Sequence, residues 1–200
     1  MLSGALLSVG IRRFVSIRIL GLSIRMTKFV NPDDIVAQAD IKKGQTVADF
    51  GCGAGFYSLA AAKFVGDDGA VWAIDVMPDR LAVTQSAAQH KGIKNITVVQ
   101  ADLEKPIKDL DAVSCDLVIV SNILHQVASK EALVRNMYYL LKTGGSVLAV
   151  EWKRGYSVFG PPQGSRISHD QLISLMQGAG FQLKRDLEAD GYHYAALFSK

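Results

Sequence analysis

A chain of 200 residues, 49% hydrophobic and 20% charged, is long enough to bury one full core unaided. Its two cysteines, Cys52 and Cys115, exclude a disulfide framework and a cysteine-based metal site, and they suit a reducing cytosol. The formal charge of +3 is unevenly placed: residues 1–30 carry Arg12, Arg13, Arg18, Arg25 and Lys28 and no acid, while the rest hold 17 Lys/Arg against 19 Asp/Glu. A mildly acidic body lacks the basic footprint of a strong nucleic-acid binder, so no DNA partner is expected.

The division by charge is also the expected division by domain, a basic apolar segment at 1–30 and a folded body at 31–200. The segment is rich in Ser and Arg and free of acids. It fits an organellar transit peptide, a peripheral membrane contact with arginines at anionic headgroups, or a plain extension upstream of Met26. Arg12, Arg13 and Arg18 interrupt every window of about 18 apolar residues, which excludes a transmembrane helix. The expected location is cytoplasmic, or organellar or membrane-surface if the segment is a true targeting signal.

In the body, Asn31-Pro32 is a good helix start, with Asn as cap and Pro at the first helical position, leading into a helix over 33–39. An apolar run at 46–50 ends in glycines and reads as a strand, followed by an Ala-rich helix at 56–65. A second apolar run spans 70–74. Pro78 opens a helix that ends near Gly92, and buried strands are expected at 96–99, 117–120 and 146–150. Between the last two lies a helix over 130–141, stopped by Gly144-Gly145. Ser168-His169-Asp170-Gln171 has the capping-box pattern ahead of a helix at 172–177, and strands at 181–187 and 193–198 close the chain.

Strand and helix alternate, and the strands are continuous apolar runs. That pattern predicts one doubly wound, Rossmann-like α/β domain with helices on both faces of a mainly parallel sheet. Ligands of such a sheet bind beyond the carboxyl ends of the strands, where the winding reverses. Asp49-Phe50-Gly51-Cys52-Gly53-Ala54-Gly55 lies there, between the strand at 46–50 and its helix. Alternating glycines let the backbone turn sharply and approach a ligand. About twenty residues on, Asp75 ends the next strand, where a carboxylate can accept both hydroxyls of a ribose. Glycine turn, helix and acidic strand end together predict a nucleoside-containing cofactor. The G-x-G-x-G spacing departs from the G-x-G-x-x-G of dinucleotide sites, and a buried Asp49 would repel a pyrophosphate. A ligand with a cationic, amino-acid end suits the turn better, which disfavours a dinucleotide oxidoreductase.

These residues resemble the class I S-adenosylmethionine-dependent methyltransferases over about 31–200, most closely the ubiquinone/menaquinone-type and related small-molecule group. Asp49, Gly51, Gly53 and Gly55 match the family's first motif. The resemblance implies S-adenosyl-L-methionine as cofactor and a seven-stranded sheet with an antiparallel C-terminal strand. It implies that Asp75 holds the ribose, that Val76 and Met77 flank the adenine, and that Asp102 and Leu103 lie by the adenine amine. It also implies that Ser121, in Ser121-Asn122-Ile123-Leu124-His125, faces the methyl-bearing sulfur. Leu141-Lys142-Thr143-Gly144-Gly145 and Gly178-Ala179-Gly180-Phe181 match two later family turns.

The substrate side is less defined, because fold resemblance does not settle chemistry. His125 is the candidate base for an acceptor that must lose a proton, and Asn122 the candidate for orienting it; a structural role for His125 is the competing reading. The Gly- and Pro-punctuated segment 151–166 reads as a lid over the cofactor mouth, with Trp152, Tyr156, Phe159 and Arg166 as acceptor contacts. Tyr192, His193 and Tyr194 read as packing. The motifs expected for DNA-base amino methylation, ribose methylation and arsenic methylation are missing, and no metal is expected. A small or lipid-like acceptor is the leading class. A protein or RNA acceptor, or a cofactor-binding accessory role without turnover, stands as the alternative.

Overall fold

The structure is a computed structural model, and it describes residues 16–19, 22–25, 30–107, 110–155 and 159–200. Within the basic segment, β1 (Ser16–Ile19) and β2 (Leu22–Arg25) pair antiparallel, with Ser16 opposite Arg25. The other residues of that segment up to 29, and with them its targeting, anchoring and extension readings, lie outside the described residues.

The body begins with α1 (Pro32–Val36), capped by Asn31, whose side chain accepts from the Asp33 N–H at 3.2 Å. It is shorter than 33–39, because residues 37–40 leave the helix as a turn that ends at Asp40 with φ 58°. Then follow β3 (Thr46–Phe50), α2 (Phe56–Val65), β4 (Ala70–Asp75), α3 (Pro78–His90), β5 (Ile96–Gln100) and β6 (Cys115–Ser121). The chain closes with α4 (Lys130–Leu140), β7 (Leu141–Trp152), a 3-10 turn at Gln163–Ser165, α5 (His169–Gly178), β8 (Gln182–Leu187) and β9 (His193–Ser199).

Seven strands form one sheet in the order β5-β4-β3-β6-β7-β9-β8. The pairs from β5 to β7 are all parallel, and β9 runs antiparallel between β7 and β8. The expected class is therefore observed, antiparallel last strand included. Successive residues of the central strands point to opposite faces. Val47, Leu117, Ile119, Leu148 and Val150 pack beneath α1 and α2. Ala48, Val118, Val120, Val147 and Ala149 pack beneath α4 and α5 with Leu133, Met137, Leu172 and Met176. Both faces being covered, the strands read as unbroken apolar runs.

One boundary differs in kind from the expectation. Gly144 and Gly145 do not stop α4; the chain passes from Leu140 straight into β7, which starts at Leu141. A Cβ on Gly145 would meet the carbonyl oxygens of Lys142 at 2.9 Å and Asp116 at 3.1 Å. The glycine serves the irregular start of β7, where its register against β6 shifts between Cys115 and Leu117. The capping box at Ser168 is present, with the helix starting at His169. Among the described residues no helix is long and apolar enough to cross a membrane.

Candidate cofactor and acceptor site

The chain winds from β3 outward to β4 and β5, then returns to β6 and continues the other way. The glycine turn sits at this reversal, on the carboxyl end of β3. Gly51, Gly53 and Gly55 all have left-handed backbones, with φ of 76°, 54° and 78°. The amides of Gly51 and Cys52 both donate to the Ile74 carbonyl, at 2.8 and 2.9 Å, stapling the turn to β4. A Cβ on Gly51 would meet Ile123 at 2.8 Å and one on Gly55 would meet Thr84 at 2.6 Å, whereas at Gly53 nothing lies within 4 Å. The outer glycines are thus required by packing, and the middle one leaves its face of the turn open to a ligand.

Asp75, buried at the end of β4, ties that turn in place. Its Oδ2 accepts from the Gly53 N–H and its Oδ1 from the Met77 N–H, both at 2.9 Å. Each carboxylate oxygen keeps a further lone pair. Val76 and Met77 are 57% and 51% exposed beside it. Asp102 lies on the surface, where Lys105 and then the Glu104 N–H hold its carboxyl below the usual range. The Leu103 side chain faces the core, so only its backbone can meet a ligand. Asp49 is enclosed beneath the turn and accepts from the Ser58 hydroxyl at 2.6 Å. Burial pushes its carboxyl up to about 6, against the opposing hydrogen bonds from Ser58.

On the other side of the reversal, Ser121 ends β6 and Asn122 follows with φ 55°, an uncommon backbone for a residue other than glycine. The His125 Nδ1 lies 3.2 Å from Glu151 Oε2, and Glu151 Oε1 accepts from the Leu124 N–H at 2.8 Å. Glu151 is fully buried in β7. Asn122 Nδ2 lies 3.4 Å from His193 Nε2, and His193 Nδ1 lies 3.0 and 3.1 Å from the two carboxylate oxygens of Asp190. Glu151, Asp190 and His193 were not singled out in the sequence as site residues. No short motif joins them, and only the order of the strands brings them to Asn122 and His125.

The segment after β7 folds upon itself. The Arg166 guanidinium is buried and donates to the carbonyls of Pro161, Lys153 and Phe159 at 2.7–2.9 Å. Arg154 donates in turn to the Arg166 carbonyl, and Gln163 bonds both the amide and the carbonyl of Gly155. Trp152 lies under this arch, with its ring 4.0 Å from that of His193 and a Cβ on Gly160 only 2.6 Å away. Arg166, expected to face an acceptor, instead braces the loop from within, and Trp152 packs between loop and His193. Phe159 is 44% exposed and stands edge-on to Tyr192. Tyr156, the fourth expected acceptor contact, lies outside the described residues.

A methyltransferase-domain family model matches residues 41–183. The chain belongs to the class I S-adenosylmethionine-dependent methyltransferases. It is 33% identical over 159 residues to the ubiquinone/menaquinone biosynthesis C-methyltransferase UbiE of Neisseria meningitidis serogroup C, covering 79% of this chain and 60% of that one. It is also 33% identical to the UbiE of Cupriavidus taiwanensis, covering 74% and 71%. The chain thus spans about 60% of the length of the Neisseria relative. Among solved structures, a SAM-dependent methyltransferase from Aquifex aeolicus superposes with a TM-score of 0.80 at 24% identity, over 86% of this chain and 90% of that one. The [4+2]-cyclase SpnF superposes with 0.71 at 16%, over 84% and 79%.

S-adenosylmethionine is the cofactor that membership of these methyltransferases implies, and the residues present fit it. The open face at Gly53 admits a ligand against the backbone. Asp75 has lone pairs for a ribose diol, and the apolar surface of Val76 and Met77 beside it suits a flat base. Among the described residues no basic side chain bonds to the turn, as a pyrophosphate would favour.

Proposed function

We propose that the protein transfers the methyl group of S-adenosylmethionine to a small, lipophilic acceptor of the quinone type. Asp75 holds the ribose, Val76, Met77, Asp102 and the Leu103 backbone border the adenine, and Gly51, Gly53 and Gly55 let the cofactor lie against the turn. Asp49 stabilises its cationic end from below. The observation that carries this reading is the Asp75 carboxylate, bonded to the amides of Gly53 and Met77 beside a glycine whose face is open. The quinone-type acceptor is supported by the names of the UbiE relatives.

When bound, the cofactor supplies a methyl group on a sulfonium, so in-line placement of the acceptor does most of the catalytic work. Ser121 and Asn122 orient the reactants at the end of β6. His125 takes the acceptor's proton on Nε2, while Glu151 holds Nδ1–H. His125→Gln is expected to slow turnover by about 10²–10⁴-fold and to leave cofactor affinity within about twofold; equal turnover would assign His125 a structural role.

Labelled S-adenosylmethionine incubated with cell extract tests the acceptor class. Label is expected in the organic-extractable fraction, and label confined to total protein or RNA would establish a macromolecular acceptor. A shared fold does not settle the reaction, so cofactor binding without methyl transfer stands as the second reading; saturable binding with no methyl loss in any fraction would mark it. The first reading keeps the protein cytoplasmic, reaching its acceptor through a peripheral membrane contact of residues 1–30. Sedimentation with anionic vesicles that survives Arg12, Arg13 and Arg18→Glu would remove that contact.

A further inference from the structure

The Asp190–His193–Asn122 cluster lies beside the acceptor half of the site, and the reading above leaves His193 and Asp190 without a task. Asp190 is an acceptor only, so with the imidazole neutral the proton sits on His193 Nδ1 and Nε2 carries the lone pair. That lone pair faces Asn122 Nδ2 at 3.4 Å. The relay therefore fixes which way the carboxamide points, leaving Asn122 Oδ1 turned from His193. Oδ1 is buried and has no hydrogen-bond partner among the described residues. An unmatched buried acceptor destabilises the fold, and the left-handed backbone of Asn122 adds strain. Costs of this kind collect where a ligand relieves them.

A second buried polar atom without a partner is the Tyr57 hydroxyl, in the first turn of α2. Ser121 opposes the effect of burial on this phenol but makes no hydrogen bond of good geometry with it. Tyr57 follows the glycine turn directly, as the second residue of α2. Asn122 follows β6 and His193 opens β9, on the far side of β3 from β4 and Asp75. Trp152 lies opposite His193 in the β7–β9 register and packs on its ring.

We propose that Asp190 and His193 form a positioning relay for the Asn122 carboxamide, whose Oδ1 receives a hydroxyl or N–H donor of the methyl acceptor. The proposal rests on the acceptor lying over β6 and β7. His193 does not itself touch the acceptor; it selects for a donor group by holding Asn122 in one orientation. The ammonium end of the cofactor is the other source of such a donor, and the experiment separates the two.

The full chain is saturated with S-adenosylhomocysteine and titrated with 2-naphthol and with 2-methoxynaphthalene, one ring with and without a donor. The wild type is expected to prefer 2-naphthol by about tenfold, near the value of one hydrogen bond. Asn122→Gly, which suits the left-handed backbone and so keeps the fold, is expected to abolish the preference and leave S-adenosylhomocysteine affinity within about twofold. Asp190→Asn retains Oδ1 for the amides of Tyr192 and His193 that Asp190 now holds. It is expected to reduce the preference and to change the 15N signature of a His193 protonated on Nδ1, without lowering the melting temperature. Equal binding of the two naphthalenes by the wild type, or absence of binding by both, overturns this proposal alone. A preference that survives Asn122→Gly or Asp190→Asn overturns it as well. Loss of S-adenosylhomocysteine affinity in Asn122→Gly assigns the carboxamide to the cofactor and overturns the acceptor assignment. A wild type that does not bind S-adenosylhomocysteine overturns the cofactor reading, and the acceptor assignment with it.

Discussion

At Asp75 the two carboxylate oxygens already hold the amides of Gly53 and Met77 at 2.9 Å, so removing the side chain acts twice. It takes away the proposed ribose acceptor and frees the turn that Asp75 staples in place. Asp75→Ala is expected to weaken S-adenosylmethionine binding by about 1.5–3 kcal/mol, the scale of hydrogen bonds to a charged group, as read by calorimetry. Unchanged affinity would refute the ribose assignment. Asp49 behaves differently because burial raises its carboxyl to about 6. The folded protein then holds this proton more tightly than the unfolded chain, whose carboxyl titrates near 3.8. Its contribution to stability therefore falls as pH rises from about 4 to about 6, and above that window the buried charge costs up to about 3 kcal/mol. Asp49→Asn is expected to match the wild type in urea unfolding below pH 4 and to exceed it at pH 8. A cationic ligand favours the ionised form, so wild-type cofactor affinity is expected to fall as pH drops below about 6. A flat pH profile for both quantities would place no buried carboxylate beneath the turn. Asp49 and Asp75 were legible because each sits at a strand end at a fixed spacing from the glycines. Glu151, Asp190 and His193 were not, because their relation to Asn122 and His125 exists only once β6, β7 and β9 lie side by side.

Among the elements, those with strong local signals came through the sequence almost unchanged. The glycine turn marks the start of α2 and the capping box that of α5, while Pro78 opens α3. Boundaries set by tertiary pairing did not: the glycines after α4 read as a helix stop, but β6 draws Leu141 directly into the sheet. The segment after β7 was legible as a long loop and illegible as a braced one, because aromatic and basic residues in a loop suggest contacts with a ligand. Only the fold shows Arg166 turned inward onto three carbonyls. Arg166→Ala strands those carbonyls and removes a buried side chain from above Trp152. It is expected to cost about 2–4 kcal/mol of stability, with faster amide hydrogen exchange across 153–165. Unchanged exchange there would mean that the loop is held by other contacts.

For the molecule as a whole, the order of the strands does what no single residue does. Reversal of the winding at β3 sets the glycine turn and Asp75 on one side and Asn122, His125 and His193 on the other. One half carries the proposed nucleoside site and the other presents polar groups beside it. Such a frame fixes where a ligand lies, beyond the carboxyl ends of the strands, and leaves the reaction open. The most direct test is therefore of the cofactor: calorimetric titration of the full chain with S-adenosylmethionine, with NAD in parallel. Saturable binding of S-adenosylmethionine and none of NAD is predicted, with a matching rise in melting temperature at excess ligand. Binding of NAD alone, or of neither, would contradict the account.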